Sequence, residues 1–202
     1  MGSKSTSRAF PGFDRVFLWG TPGNSTAFRV NLNVDTRNEA FGLTRAELCP
    51  PRSISAEWAM GRAKPVEVIR TTFAAPIIIA DSVVQLLRMQ GFTGWSLYEV
   101  AVCGKQGQTI PGYHGFSVKG RCGNIDWAKG VEVPRIRPAG IFPVWKGLLF
   151  DPESWDGSDF FMPAERVGYV FVVEEVKNAF QRAKIRNVDF TPLDQFERSW
   201  RL

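Results

Sequence analysis

The stretch that decides the fold is IIIADSVVQLLRMQGFTGWSLYEV, residues 77–100. Its first four residues form an apolar run, which is typical of a buried strand. The residues from Asp81 to Gln90 then place apolar side chains at helical spacing, on one face of a helix. From Gly91 to Val100 apolar and polar residues alternate, as in a half-buried strand. The stretch therefore predicts a strand, a helix and a second strand.

The same order occurs a second time, in VFVVEEVKNAFQRAKIRNVDFTPL, residues 170–193. The two stretches align without a gap, so that Leu87 falls on Phe180 and Leu97 on Phe190. Internal similarity of this kind indicates a repeated structural unit. We therefore predict an α+β fold, with a mixed or antiparallel sheet and two repeated strand–helix–strand units.

The rest of the chain gives weaker signals. Residues 1–65 are expected to supply strands and loops to the same domain, and residues 66–202 to form the duplicated α+β part. Thr44 to Leu48 predicts a short helix with Thr44 as its cap, and Ile54 to Arg62 a short helix or an irregular segment. The prolines and glycines of residues 122–163 predict mainly loops, with short strands at 144–145 and 148–150.

Composition limits the classes of partner. The net charge is +5, but the basic residues occur as scattered pairs, such as Arg62 with Lys64 and Arg135 with Arg137. Nucleic-acid-binding proteins usually gather their positive charge on one face, so no nucleic-acid partner is predicted. No apolar run approaches the roughly 18 residues that cross a bilayer, so no membrane partner is predicted either.

The cysteines bear on compartment and metal binding. Cys49, Cys103 and Cys122 are few, odd in number and widely spaced, and no CxxC pair occurs. Such a pattern fits a reducing cytoplasm, and the polar N-terminus lacks the apolar core of a signal peptide. We therefore expect a cytoplasmic protein that holds neither a metal ion nor a cofactor.

Catalytic motifs are missing from the sequence. His114 is the only histidine, and neither Ser117 nor Cys122 nearby lies in a nucleophile elbow. We therefore predict no catalytic residue. An enzyme of unknown class that uses His114 or the acidic residues 151–159 stays open as the alternative.

The densest group of polar residues is DPESWDGSD, residues 151–159, which we call the acidic loop. A tryptophan can anchor a partner in a pocket, and surrounding carboxylates can attract a basic surface. The candidate partner-binding residues are Asp151, Glu153, Trp155, Asp156 and Asp159. Turn formation and packing also explain this composition, because Asp-Gly is a strong turn dipeptide. In that case the tryptophan is core and the carboxylates cap turns.

The string WDGSDFF at residues 155–161, followed by the segment 169–193, resembles a group of bacterial immunity proteins. These proteins occur beside polymorphic toxins and are common in myxobacteria. The similarity extends over about residues 66–193. Some relatives carry paired CxxCG motifs, which Cys49 and Cys122 do not reproduce here, so a metal site is not carried over.

The resemblance implies that the protein neutralises a cognate toxin by direct binding and has no active site of its own. It leaves a homodimer open. A general interaction or structural module, of phage or secretion origin, is a third hypothesis besides the immunity protein and the enzyme.

Overall fold

A computed structural model describes residues 8–23, 25–48, 54–73, 75–138 and 140–198. Within these ranges the chain forms three α-helices and sixteen strands. The helices are α1 (Arg37–Thr44), α2 (Asp81–Met89) and α3 (Glu174–Arg182). The strands are β1 (Val16–Gly20), β2 (Arg29–Leu32), β3 (Ile54–Met60), β4 (Val68–Thr71), β5 (Ile77–Ala80), β6 (Trp95–Tyr98), β7 (Val100–Cys103), β8 (Thr109–Ile110), β9 (Tyr113–Val118), β10 (Gly120–Cys122), β11 (Val131–Arg137), β12 (Gly140–Lys146), β13 (Phe160–Pro163), β14 (Phe171–Val173), β15 (Asp189–Pro192) and β16 (Glu197–Arg198). Cys49 lies outside the described residues.

The strands build three sheets, and the fold is α+β with mixed sheets. The largest sheet has the order β6-β9-β5-β4-β2-β3-β7-β8, the second β10-β13-β14-β1-β15, and a small sheet β11-β12-β16. Most neighbours are antiparallel, but β2 with β4, β3 with β7 and β10 with β13 run parallel. Strand β1 belongs to the five-stranded sheet and strands β2 and β3 to the largest one, so the N-terminal segment contributes to both.

Helices α2 and α3 each connect two strands that do not pair with each other. Strands β5 and β6 flank β9, and strands β14 and β15 flank β1, all with antiparallel pairing. The pairing register is the same in both regions. Leu97 of β6 pairs with Phe116 of β9, and Phe190 of β15, the position that aligns with Leu97, pairs with Trp19 of β1. Each helix therefore crosses over an intervening strand of opposite direction.

The backbone after each helix also follows one course. Gly91 and Lys184, the first residues beyond the helix C-caps, both have a positive φ, of 67° and 54°. Gly94 and Asn187, three residues later, are again positive, at 83° and 62°. Glycine and asparagine adopt this left-handed conformation most readily, which is how both loops reverse the chain toward the next strand.

The two crossover regions meet in one aromatic core. Trp19 contacts the rings of Phe116 and Phe180 at centroid distances of 5.3 and 5.6 Å, and Phe160 lies 5.3 Å from Phe116. Such edge-to-face contacts add to the stabilisation that burial alone gives. The central strands β1 and β9 are thereby joined through their side chains.

The burial of β5 on both faces explains why its sequence is apolar throughout. Ile77 and Ile79 are buried in the core shared with α2, whereas Ile78 is buried on the other face of the sheet, in the cluster of Leu43 from α1. Alternate residues of a strand point to opposite faces, so a strand covered on both sides needs no polar position.

Two expectations for the N-terminal part were wrong. Helix α1 ends at Thr44, where we expected a helix to begin, and its cap is Thr36, whose hydroxyl accepts a hydrogen bond from the Glu39 amide. The segment expected to be a short helix or irregular contains strand β3. It pairs with β2 and β7, and this tertiary pairing prevails over weak local preference. None of the described helices has the length and apolar character needed to span a bilayer.

Candidate functional site

The exposed carboxylates of the acidic loop organise turns. The Asp151 side chain accepts a hydrogen bond from the Glu153 amide at 3.1 Å and caps a short 3-10 turn. The Asp156 carboxylate accepts from the amides of Arg121 at 2.7 Å and Ser158 at 3.0 Å. These residues and Glu153 are exposed, so they form the accessible part of the loop.

Trp155 is not the exposed anchor that we expected. Only 4% of the residue is exposed, and its ring contacts Phe10 and Phe161 at centroid distances of 5.7 and 5.6 Å. Its indole nitrogen donates to the Ser158 carbonyl at 3.1 Å. The ring therefore completes an aromatic cluster on the outer face of the five-stranded sheet. Trp155 is buried because the N-terminal segment, through Phe10, covers its ring.

Asp159 is likewise buried, not part of an exposed negative rim. Its carboxylate accepts hydrogen bonds from the amide and hydroxyl of Thr93 at 2.8 and 2.9 Å and from the guanidinium of Arg8 at 2.7 Å. The contact is close, since a Cβ on Gly94 would lie 2.1 Å from the Phe160 carbonyl oxygen. Asp159 thus fastens the acidic loop to the segment between α2 and β6.

His114 lies beside Asp81, with 2.6 Å between His114 Nε2 and Asp81 Oδ1. Both side chains are accessible to solvent. Among the described residues, no hydroxyl or thiol hydrogen bonds to His114. The Ser117 hydroxyl donates instead to the Leu43 carbonyl, and burial raises the pKa of the Cys122 thiol, with a smaller contribution from Asp156. The geometry provides a histidine with a carboxylate but no nucleophile beside it.

Metal ligands are not brought together in the part of the chain that the structure describes. No group of three or more histidine, cysteine, aspartate or glutamate side chains is close enough to hold an ion there. Cys103 and Cys122 are free thiols, and Cys122 is buried.

The most exposed apolar surface lies on β11 and β12, which form a long hairpin. We call residues 131–146 the exposed hairpin. Its strands pair without interruption from Val131 with Lys146 to Arg137 with Gly140. Near the turn, Ile136 faces Ile141 as a cross-strand pair. From the prolines and glycines of residues 122–163 the sequence predicted mainly loops here, with a short strand at 144–145, so the long hairpin was not expected.

Large apolar side chains are concentrated on the exposed hairpin. It carries four of the seven large hydrophobic residues that are exposed in the described chain: Val131, Ile136, Ile141 and Phe142. Ile136 and Ile141 are 85% and 69% exposed, so this pair contacts little of the protein itself. Contiguous apolar side chains in water are a sign of an interaction surface.

Within the described residues, the base of the exposed hairpin is fixed to the body. Val144 is 2% exposed, and β12 pairs with β16 at Trp145 and Lys146. Arg135 Nε donates to a carboxylate oxygen of Glu197 at 2.9 Å. Beyond Arg135, Ile136 and Ile141 are largely exposed, and this end of the hairpin projects into solvent.

Two prolines modify the edges of the exposed hairpin. Pro134 and Pro143 are directly opposite each other in the register. Because proline has no N–H, this pair cannot exchange hydrogen bonds, and each missing donor faces the outer edge of its strand. Prolines at sheet edges oppose the addition of a further strand. The hairpin therefore presents its side-chain faces for recognition more readily than its edges.

Comparison with known proteins adds no relative. No model of a protein family matches the chain, and no curated protein matches it either.

Proposed function

We propose that this protein is an immunity protein that binds a cognate toxin domain and neutralises it by direct contact, with the exposed hairpin as the main contact surface. The observation that carries the proposal is the solvent-exposed pair of Ile136 and Ile141 at the projecting end of that hairpin. The resemblance of residues 66–193 to immunity proteins supports the class of partner.

The energetic argument concerns apolar burial. Fully burying an isoleucine side chain stabilises a complex by about 1.5–3 kcal/mol relative to leaving it in water. Ile136 and Ile141 are neighbours, so one apolar groove on a partner can cover both. Residues of this kind at the centre of an interface supply most of its binding energy, and polar groups around them exclude water.

Recognition is expected to use one face of the hairpin. Ile136, Ile141, Pro134 and Pro143 share a face, because pairs directly opposite and two positions apart point the same way. This face is apolar and carries little flexible charge, which suits a preformed groove. Strand addition is disfavoured by the prolines, so the partner need not offer a free sheet edge.

The acidic loop keeps a smaller role in the proposal. Glu153 and Asp156 remain accessible, whereas Trp155 and Asp159 are buried. Exposed carboxylates can accelerate the approach of a basic partner without adding much affinity. That Asp151, Glu153 or Asp156 contacts the toxin stays a prediction, and its expected effect is on the rate of association.

One observation favours the alternative, an enzyme of unknown class. The Asp81 carboxylate is placed to orient His114, which is the arrangement of a general base. With no nucleophile beside it, His114 would have to activate water. Replacing His114 with alanine is expected to leave protection from the toxin intact. Loss of protection in a folded His114→Ala protein would favour the enzyme.

We also infer that residues 77–98 and 170–191 are two copies of one structural unit. The inference rests on equal helix lengths, the same register against the intervening strand, and the same left-handed positions after each helix. A cytoplasmic location belongs to the same proposal, and the free thiols of Cys103 and Cys122 are compatible with it.

The test measures binding of the purified protein to the toxin domain encoded beside its gene, with calorimetry as the readout. We expect Ile136→Asp to weaken binding by about 30-fold or more, because burying the aspartate costs at least about 2 kcal/mol. Met89→Asp is the matched control, since Met89 is 76% exposed on α2, away from the hairpin.

Equal weakening by both variants, or none in either, would remove the hairpin from the interface. A neighbouring product that does not bind the wild-type protein at all would contradict the immunity function itself. The molecular mass of the free protein in solution tests whether a second copy of the chain binds the hairpin. A dimer that Ile136→Asp dissociates would assign the hairpin to self-association.

A further inference from the structure

A pocket of about 360 Å³ is lined by residues from both large sheets. The end of β1 and strands β2 and β4 form its walls, together with two aromatic side chains, Tyr169 and Phe196. Two arginines line it, Arg29 from β2 and Arg70 from β4. Neither the sequence motifs nor the proposed toxin contact involves this pocket, which we call the arginine pocket.

The sheet places the two arginines side by side. Arg29 and Arg70 are direct partners in the parallel pairing of β2 with β4, so their side chains leave the same face of the sheet. Their neighbours Val30 and Ile69 are buried on the opposite face. Two positive side chains are therefore directed toward one space.

Arg70 has hydrogen-bonding capacity left over. One guanidinium nitrogen, Nη2, donates to the Trp19 carbonyl at 3.0 Å, but its Nε is buried without an acceptor. Within the described residues, no carboxylate pairs with Arg70 or Arg29. Burial, with a smaller contribution from the neighbouring charge of Arg29, lowers the pKa of Arg70 to about 10.

Several other arginines of this protein have a carboxylate partner among the described residues, unlike Arg29 and Arg70. Arg186 donates to both carboxylate oxygens of Glu67, and Arg15 donates to Glu174. In a larger pocket of about 550 Å³ nearby, Arg45 is paired with Glu47. A buried arginine without a counter-charge destabilises a fold, so its presence calls for a partner that comes from outside.

We propose that the arginine pocket binds the oxyanion group of a small molecule, a phosphate or a carboxylate, between Arg29 and Arg70. Guanidinium groups match both anions, because their N–H donors form a planar fork. The Thr21 hydroxyl lines the same pocket and is a further donor. The Thr71 hydroxyl already donates to backbone carbonyls and the Thr72 hydroxyl to Asn31, so they do not contribute donors.

The rest of such a ligand would lie against the aromatic wall. The rings of Tyr169 and Phe196 are 6.0 Å apart and nearly perpendicular, and both line the pocket. An apolar or aromatic group beside the oxyanion fits this wall. The site is separate from the exposed hairpin, so the proposal stands whether or not the hairpin binds a toxin.

The test uses calorimetric titration with inorganic phosphate in one arm and sodium acetate in the other, at constant ionic strength in chloride. We expect the wild-type protein to bind at least one of the two, and the arm that gives heat identifies the anion. Arg70→Met should abolish this binding, and Arg29→Met should weaken it by at least tenfold. Arg88→Met, which removes one exposed charge on α2, should leave it unchanged.

Absence of binding in both arms would overturn the proposal. Equal binding by the wild-type protein and the Arg29→Met and Arg70→Met variants would overturn it too, since it would mark general attraction to a basic protein.

Melting curves without added anion give a second readout. Arg70→Met should melt no lower than the wild type, because an unpaired buried charge is removed. A marked loss of stability in Arg70→Met, with phosphate and acetate binding unaffected in Arg29→Met, would make Arg70 a structural residue and overturn the site.

Discussion

The acidic loop and the exposed hairpin are neighbouring segments, and the structure and side-chain exposure of each are the opposite of what its sequence suggests. The loop carries a tryptophan among carboxylates, which is typical of a partner contact, yet its ring is buried beneath Phe10. The hairpin contains three prolines, which are typical of loops, yet it is a regular ladder with exposed isoleucines. Exposure is decided by what covers a segment, and local composition does not report that.

The covering residues come from far along the chain. Arg8 and Phe10 reach the acidic loop from the N-terminus, across about 150 residues of sequence, and Arg8 bonds Asp159 there. Among the described residues, the isoleucines at the hairpin tip remain largely exposed. The comparison leads to a simple expectation: changes in the loop alter stability, and changes at the hairpin tip alter binding.

The largest effect is expected for Trp155→Ala. Removing a buried tryptophan from a packed aromatic cluster should lower the free energy of unfolding by about 3–5 kcal/mol. A urea titration of the purified variant measures this. Trp155→Phe, which keeps a ring in the cluster, serves as the control and should lose clearly less. A Trp155→Ala protein as stable as the wild type would show that the ring is not part of the core.

A somewhat smaller loss is expected for Asp159→Ala. Its carboxylate accepts three hydrogen bonds in a buried setting, one of them from a charged group. We expect a loss of about 2–3 kcal/mol in the free energy of unfolding, because the Thr93 amide and hydroxyl lose their acceptor. The free energies of unfolding of Asp159→Ala, Thr93→Val and the double variant, compared by denaturation, isolate the contribution of the contact between the two side chains. If the two losses simply add in the double variant, the contact is not the one described.

Little change in stability is expected at the tip of the exposed hairpin. Replacing both Ile136 and Ile141 with serine should alter the free energy of unfolding by less than about 1 kcal/mol, as is usual for exposed positions. The same urea titration checks this, and solubility should rise. A loss as large as that of Trp155→Ala would mean that the isoleucines are covered, by the protein itself or by a second copy.

The smallest effect is expected for Glu153→Gln. Glu153 is exposed, and only its backbone amide is held by Asp151. Its stability should stay within about 0.5 kcal/mol of the wild type. If the loop meets a basic toxin surface, the association rate should fall at low salt and not at high salt. An unchanged rate at both salt concentrations would exclude Glu153 from the encounter.

Periodicity made the crossover regions predictable from the sequence. The apolar run at 77–80 and the helical spacing at Val83 and Leu87 required only local patterns, and α2 occupies residues 81–89. The helix α1 could also have been placed, because Thr36 and Glu39 are spaced as a capping box.

Other features depend on distant partners that no local pattern reveals. The burial of Trp155 requires Phe10, and the pairing of Arg29 with Arg70 requires β2 and β4 to be neighbours in the sheet. The sequence did not predict the hairpin, because prolines normally end strands. At paired edge positions, however, they are tolerated. The juxtaposition of His114 and Asp81 likewise follows from the sheet.

Side-chain footprinting of the complex tests the central claim most directly, because one experiment reports on both segments. The protein is oxidised by hydroxyl radicals, alone and bound to the toxin domain encoded beside its gene. Exposed Met60 and Met89 provide internal references. We predict strong protection of Ile136 and Ile141 on binding and no change at Trp155. Protection of the acidic loop with an unchanged hairpin would contradict the account.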